Sequence, residues 1–449
     1  MPGGWKNMAL RIHPPGINPG SKAGTTFRAL RHRNYKLWFF GQGVSLIGTW
    51  MQSVAQQVLV YRLTGSAVSL GIVNLMTVLP LLPFSFWGGT LADRVSKRKI
   101  LLITQSLMLI QAVILAALTW TGLVQVWQVY LMAFLLGVLK AVDMPPRQSF
   151  VVEMVEGKDD LTSAIGLNSA IHNTARTLGP VIAGIVVATR GEAVAFFLNS
   201  LSFLAVIISL LFMRNLPQPT SSKQHLSQVL ADAREGIRFV IKQQLLLVLM
   251  SLVAVTSFLS RPYQTLLPVF ADNMLGGSAQ PLVDFFCNGP LRTLTCQQPE
   301  ALPLGLLYSA IGIGAVAGAV LVASLPPAAR RGRLLSVGNL GLPVLLLAFV
   351  SSQLFITSLV LMALVGMAQV FQNTLANTLV QINSPDNLRG RVMSQYSLVT
   401  QGMHQLGGLQ AGIVADWIGA PLSVAIGATL SLLYGIFVFF KFPRVREMA

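Results

Sequence analysis

The chain has 449 residues, of which 53% are hydrophobic and only 10% charged, with a formal net charge of +17. An average soluble domain carries roughly a quarter charged residues, so this composition excludes a water-soluble globule. The basic excess gathers between apolar runs rather than along one polar face, which removes nucleic acid as a partner.

In chain order, residues 1–36 form a basic tail rich in Gly and Pro, with no apolar core before Leu37 and hence no cleavable signal peptide. A membrane span needs about 20 apolar residues. Twelve such stretches follow, near 37–61, 67–91, 99–120, 127–150, 162–188, 193–213, 244–270, 303–324, 334–351, 354–378, 392–417 and 421–440. Runs this long and continuous exclude a β-barrel, so the expected fold class is all-α and polytopic. The expected organisation is a six-helix bundle over 37–213, a linker over 214–243, a second six-helix bundle over 244–440 and a tail over 441–449. Lys and Arg cluster before span 1, after spans 2, 8 and 10, and at the C-terminus, which puts both termini in the cytoplasm. Within the linker, Leu226, Val229, Leu230, Ala233, Ile237, Val240 and Ile241 fall at helical spacing opposite Asp232, Glu235, Arg238 and Lys242. That pattern predicts an amphipathic helix on the cytoplasmic face.

Two stretches repeat. Leu178, Gly179, Ala183, Gly184, Ile185 and Val186 recur in register as Leu406, Gly407, Ala411, Gly412, Ile413 and Val414. Paired membrane halves of this kind are a transporter signature, because a site between them can be exposed to either side in turn.

The loop after span 2 contains Gly89, Leu91, Asp93 and Arg94, followed by Lys97, Arg98 and Lys99. This resembles the cytoplasmic Gly-x-Leu-x-Asp-Arg signature of the major facilitator superfamily, with Ser96 and Lys97 departing from its pattern. Asp93 offers a carboxylate to the start of span 11 or to Arg389 or Arg391, forming a cytoplasmic gate. Span 5 carries Gly179, Pro180 and Gly184, similar to the glycine–proline element of exporters in this superfamily. Gly314 and Gly318, with Ala310, supply a matching small-residue stripe on span 8. Further stretches, among them 27–38, 142–151, 261–271 and 388–394, resemble the branch that contains enterobactin exporters and macrolide efflux proteins. The resemblance implies twelve helices, outward transport and coupling to protons. Residues 278–302 are an insertion relative to that branch. Its cysteines, Cys287 and Cys296, are the only two in the chain, and their place in an outer, oxidising loop predicts a disulfide.

Ionisable residues inside spans are costly and usually serve a cavity or a partner. Arg176 lies in span 5, and His404 at its repeat-equivalent in span 11. Lys140 and Asp143 in span 4 are spaced to pair with each other, with Arg176 as a second partner for Asp143; Arg261 in span 7 precedes Pro262. Asp143 and His404 are the candidate proton carriers, whereas Arg176 can only bind an anion or tune a carboxylate. Gln52 and Gln56, with Gln42, Thr49, Gln57 and Asn74, offer uncharged contacts to a polar organic molecule. No metal-ligand cluster, nucleotide-binding loop or catalytic constellation is present in the sequence, so neither a cofactor nor an enzymatic activity is expected. The sequence predicts a monomeric secondary transporter of a bacterial-type inner membrane, exporting an amphipathic or hydrophobic small molecule by proton antiport. An importer of the same fold, a lipid flippase and a non-transporting scaffold are the alternatives.

Overall fold

The computed structural model describes residues 27–81, 83–84, 91, 95–214, 226–287, 296–326, 330–385 and 388–448. Among these the secondary structure is helical, with no strand. A short 3-10 turn, Arg28–Arg31, leads into α1 (Arg33–Thr64), α2 (Ala67–Val78), α3 (Lys97–Trp120), α4 (Val126–Glu153), α5 (Lys158–Arg190) and α6 (Glu192–Phe212). The linker helix α7 (Leu226–Lys242) follows. Next comes α8 (Gln244–Met274), interrupted by π-helical turns at Thr256–Ser260 and Phe270–Met274. The rest are α9 (Gly276–Cys287), α10 (Ala301–Ala323), α11 (Arg331–Val350), α12 (Phe355–Ile382), α13 (Arg389–Ile418) and α14 (Ala420–Lys441), with a final turn at Pro443–Glu447.

Each of the twelve apolar stretches falls on one of these helices, the second in its described part. Eight of the helices, α3, α4, α6, α8, α10, α11, α12 and α14, are long and apolar enough to cross a membrane. The helices α1, α5 and α13 are of spanning length, at 32, 33 and 30 residues. Their apolar content is diluted by the glutamines, arginine and histidine that they carry inward. A helix serving a polar interior must give up part of its hydropathy to do so.

Helices α1, α3, α5 and α6 pack against one another, as do α10, α11, α12 and α14. Two seams join the groups, α5 against α10 and α13 against α2. Lipid gives helices no hydrophobic reason to associate, so close packing has to come from small residues. A Cβ built on Gly305 of α10 would lie 2.7 Å from the Gly184 Cα of α5. One on Gly71 of α2 would lie 2.8 Å from the Leu409 Cα of α13, and one on Gly412 lies 2.5 Å from the Ala67 carbonyl.

The repeat extends further than the apolar match. Gly191 and Gly419 stand at equivalent positions just past α5 and α13, with φ of +79° and +90°. Both turns need a residue without a Cβ. Three residues earlier in each copy, Ala188 and Asp416 perform related tasks. The Ala188 carbonyl accepts from the Gln297 and Gln298 amides ahead of α10. The Asp416 carboxylate accepts from the Ser66 hydroxyl (2.6 Å) and the Ala67 amide (2.7 Å) at the start of α2.

A helix, α7, occupies the linker. Val240 is buried, Gly236 packs on the Arg391 side chain, and Glu235 bonds to Arg391. Ile237 and Ile241 remain exposed.

Candidate functional site

Among the described residues, the two seams close at one end of the molecule. The closed end lies opposite the basic residues that precede α1, α11 and the final turn. There Arg62 and Gln298 both donate to the buried Glu192 carboxylate, at 2.8 Å and 2.6 Å. Deeper in, the Tyr308 hydroxyl donates to Gln57 across the seam (2.7 Å) and Asn74 donates to Thr265 (3.3 Å). Towards the basic end the same helices part. His172, Asn173 and Thr174 of α5 are exposed, as are Ser397, Leu398 and Gln401 of α13. A Cβ added at Gly166, Gly390 or Gly402 would meet nothing within 4 Å. Among the described residues, then, the seams are sealed at one end and part towards the basic one.

Between the ends lies a cavity of about 180 Å³ whose polar lining includes Gln52, Gln56, Gln57, Asn74, Lys140 and Gln405. Gln52 is held on the wall, accepting from Asn199 at 2.5 Å. The Gln56 amide nitrogen is buried with no hydrogen-bond partner, as is one nitrogen of Gln42.

Three basic candidates, two arginines and a histidine, come from α5, α8 and α13. Arg261 sits in the interrupted part of α8, where Pro262 removes an amide and the Phe258 carbonyl packs on Gly407 of α13. That contact brings Arg261 near His404, one turn before Gly407. Arg176, next to Thr177, approaches from α5, where Thr177 abuts Gly312 of α10. Arg176 lies close enough to Arg261 for their charges to interact, and both lie close enough to act on His404. Gln369 is best oriented with its amide oxygen towards Arg261, accepting from Nε (3.0 Å) and Nη2 (3.2 Å). The Tyr263 hydroxyl bonds to the same amide at 3.1 Å.

Span 4 departs from the expected pairing. Lys140 does not bond to Asp143; it faces the cavity and has no hydrogen bond or ion pair among the described residues. Nor does Asp143 pair with Arg176. It is engaged by Arg147 (2.6 Å from Nε), Thr104 (2.6 Å) and Gln105 (3.0 Å). Arg147 also donates to Gln42 and lies over the Trp38 ring. Lys140 and Arg147 lie one turn before and one turn after Asp143 on the same face of the helix, and neighbouring helices supply the contacts that select Arg147. The i, i+4 spacing of Asp143 and Arg147 was the available sequence signal.

The packing motif divides in two. Gly179 packs on Trp50 of α1 and Gly184 on Gly305 of α10. Gly314 and Gly318 do not match span 5. They pack on the Ala363 and Met367 carbonyls of α12, and the residues that meet α5 are Gly305 and Gly312. Residues 305 and 312, seven apart, share one face, and 314 lies about 200° round from 312. Of the gate residues, Gly89, Asp93 and Arg94 lie outside the described residues. Arg389 donates to the Gln381 carbonyl at 3.3 Å, and Arg391 bonds to Glu235. Cys287 and Cys296 are joined by a disulfide, with their Cα atoms 5.5 Å apart. Sequence reasoning missed Glu192, Arg62 and Tyr308 as seam residues. It saw Asp416 only as a carboxylate near a helix end.

A family model described as a transmembrane secretion effector matches residues 24–283 and 290–449. The chain is 25% identical over 399 residues to the staphyloferrin A transporter of Staphylococcus aureus, covering 87% of this chain and 92% of that one. It is 23% identical over 401 residues to the enterobactin exporter of Shigella boydii, covering 89% and 86%. Among solved structures, a peptide transporter matches with a TM-score of 0.70 at 13% identity, covering 92% of this chain and 95% of that one. The nucleoside transporter NupG matches with a TM-score of 0.66 at 14% identity, covering 91% and 98%. These structural likenesses establish the fold alone.

Proposed function

Since the chain belongs to the transmembrane secretion effector family of the major facilitator superfamily, we propose that it exports a siderophore-like small molecule from the cytoplasm by alternating access. The observation that carries this reading is the asymmetry of the seams. A polar cavity lies between the helices, the described residues part towards the basic end, and Gly184–Gly305 and Asp416–Ala67 close the other. By the distribution of positive charge, the open end is cytoplasmic and both termini lie there. An exporter loads its cargo in this state. The two relatives named above carry staphyloferrin A and enterobactin, which sets the size and chemistry of the compound proposed here. One chain supplies both halves of the pathway, so the working unit is the monomer.

Protons moving inward drive the export. Asp143 is their proposed carrier, being a buried carboxylate whose hold on Arg147 is lost on protonation. That release would free the α1–α4 contact made through Gln42, linking the proton to the position of the helices.

The test uses proteoliposomes loaded inside with radiolabelled staphyloferrin A or enterobactin, under an imposed pH gradient of either sign. Efflux that accelerates with a gradient directed into the liposome-cytoplasm equivalent supports the reading. Asp143→Asn should abolish gradient-driven flux and retain exchange. Flux without response to either gradient removes proton coupling, and net inward accumulation makes the protein an importer.

A further inference from the structure

The interior is rich in positive charge and has little to balance it. Arg176 makes no hydrogen bond or ion pair among the described residues. The described polar partners of Arg261 are neutral, namely Ser257 (3.4 Å) and the Gln369 amide. The His404 Nδ1 atom is buried and has no partner among the described residues. Lys140, at the cavity wall, is likewise unpaired among the described residues. Carboxylates do not reach this group. Asp143 is taken by Arg147, Glu192 by Arg62 and Asp416 by the α2 amides. Asp93 and Asp386 belong by sequence to loops at the basic end.

Cations gathered away from bulk water repel one another and lose hydration, and a protein that merely needed stable packing would place a carboxylate among them or use apolar residues. The arrangement is also divided between the halves. Arg176 comes from the first, through the α5–α10 seam, and Arg261 and His404 come from the second, through the α8–α13 contact. A ligand touching both guanidinium groups would bridge the halves at the depth where the open end meets the closed one.

Building on the export reading, we infer that the cargo is an anion whose oxyanion groups are held between Arg176 and Arg261, with His404 Nδ1 as a third contact. Guanidinium groups suit this because their planar donors meet a carboxylate or phenolate in two bonds at once. Lys140 serves as an earlier point charge on the way in, nearer to Gln52 and Gln56. Drawing the halves together over a bridging anion relieves the repulsion between the two arginines. The cargo's charge is thus part of what permits the conformational change.

The experiment uses the purified full chain in detergent, following its thermal unfolding midpoint with three probes: citrate, neutral trimethyl citrate and tetraphenylphosphonium. Citrate should stabilise the protein, and the ester and the cation should not. Arg176→Gln and Arg261→Gln should each weaken citrate about tenfold to a hundredfold, the range for a lost charge-assisted contact. Arg176→Lys, which keeps the charge and the fold, should lose less. Stabilisation by the ester or the cation in preference to citrate overturns the inference. Unchanged citrate affinity in the double variant does the same. Silence from citrate at about 10 mM also counts against it, because two such contacts give at least millimolar affinity. The two readings fail separately. Citrate binding without any flux in liposomes refutes export and leaves the anion site, whereas efflux of a neutral compound at full rate with both arginines replaced refutes the anion site and leaves export.

Discussion

At the residue scale, Asp143 shows what helical spacing does and does not reveal. Its own helix offers Lys140 one turn before and Arg147 one turn after, on the same face, and spacing alone fits both. The choice falls to Arg147 because α1 brings Gln42 and Trp38 to the same guanidinium, while α3 brings Thr104 and Gln105 to the carboxylate. Those contacts are separated by many tens of residues and leave no mark on local pattern. Replacing Asp143 by Asn leaves the half-buried Arg147 beside a neutral amide. Breaking one side of a buried pair costs about 3–5 kcal/mol, so the unfolding midpoint should fall clearly. Adding Arg147→Met should recover much of the loss, and a further fall would show that the two side chains act independently. Outside the membrane, Asp160 accepts from His32 Nε2 (2.8 Å) and lies 3.1 Å from Arg28. The His32 hydrogen bond, and then the Arg28 charge, hold its carboxyl below the ordinary carboxylate range against the opposing effect of burial. A depressed carboxyl lends its stability above the unfolded value of about 3.9 and loses it as pH falls through the folded one. Amide exchange at residues 28–32, corrected for intrinsic rates, should keep the Asp160 contribution from neutral pH down to about 5 and lose it below about 4. Asp160→Asn should raise exchange across that whole range.

At the element scale, the helices themselves were the most legible feature, because membrane-length apolar runs admit few alternatives. The repeat also identified the two helices, α5 and α13, that form the seams. Which face of each helix meets which neighbour was not legible. Gly314 and Gly305 are equally small, and only the direction of approach of α5 and α12 assigns one to each. The seam itself makes a firm prediction. A Cβ at Gly305 would press within 2.7 Å of the Gly184 Cα and the Pro180 carbonyl, so backbone has to move. Gly305→Leu should therefore pry open the sealed end, and a cysteine introduced at Asn74 should become reactive to a membrane-impermeant thiol reagent added outside. The same leucine at Gly166, where space is open, should leave that labelling unchanged. Asp416→Asn acts on the other seam more gently. It keeps the shape but weakens a charge-assisted cap on α2, a loss of about 1 kcal/mol. A change of that size is about fivefold in a two-state equilibrium, enough to raise the same labelling measurably. Equal labelling in Asp416→Asn and the unmodified chain would show that the cap does not bias the equilibrium.

At the scale of the whole molecule, transport requires a second arrangement in which the sealed end opens and the basic end closes. Arg389 and Arg391 head α13, where Arg389 donates to the Gln381 carbonyl and Arg391 to Glu235. Asp93, on the loop that follows α2, is the carboxylate that the signature places within reach of the start of α13 once the basic end closes. Rotation of the halves about the cavity would bring that loop to the α13 N-terminus, where a carboxylate is stabilised by free amides and positive charge. The gate then competes with the Asp416 cap at the opposite end of the same two helices, α2 and α13. If Asp93 holds the basic end as Asp416 holds the other, weakening either shifts the balance to the other side. Asp93→Asn should consequently depopulate the outward-open form. With cysteines placed at Ser96 and Ser394, disulfide crosslinking should fall in this variant, while labelling of a cysteine at Gly402 from the basic end should rise. Combining Asp93→Asn with Asp416→Asn should restore crosslinking towards its starting level, because the two ends are weakened together. Crosslinking that stays low in the double variant would mean that Asp93 and Asp416 do not oppose each other through α2 and α13.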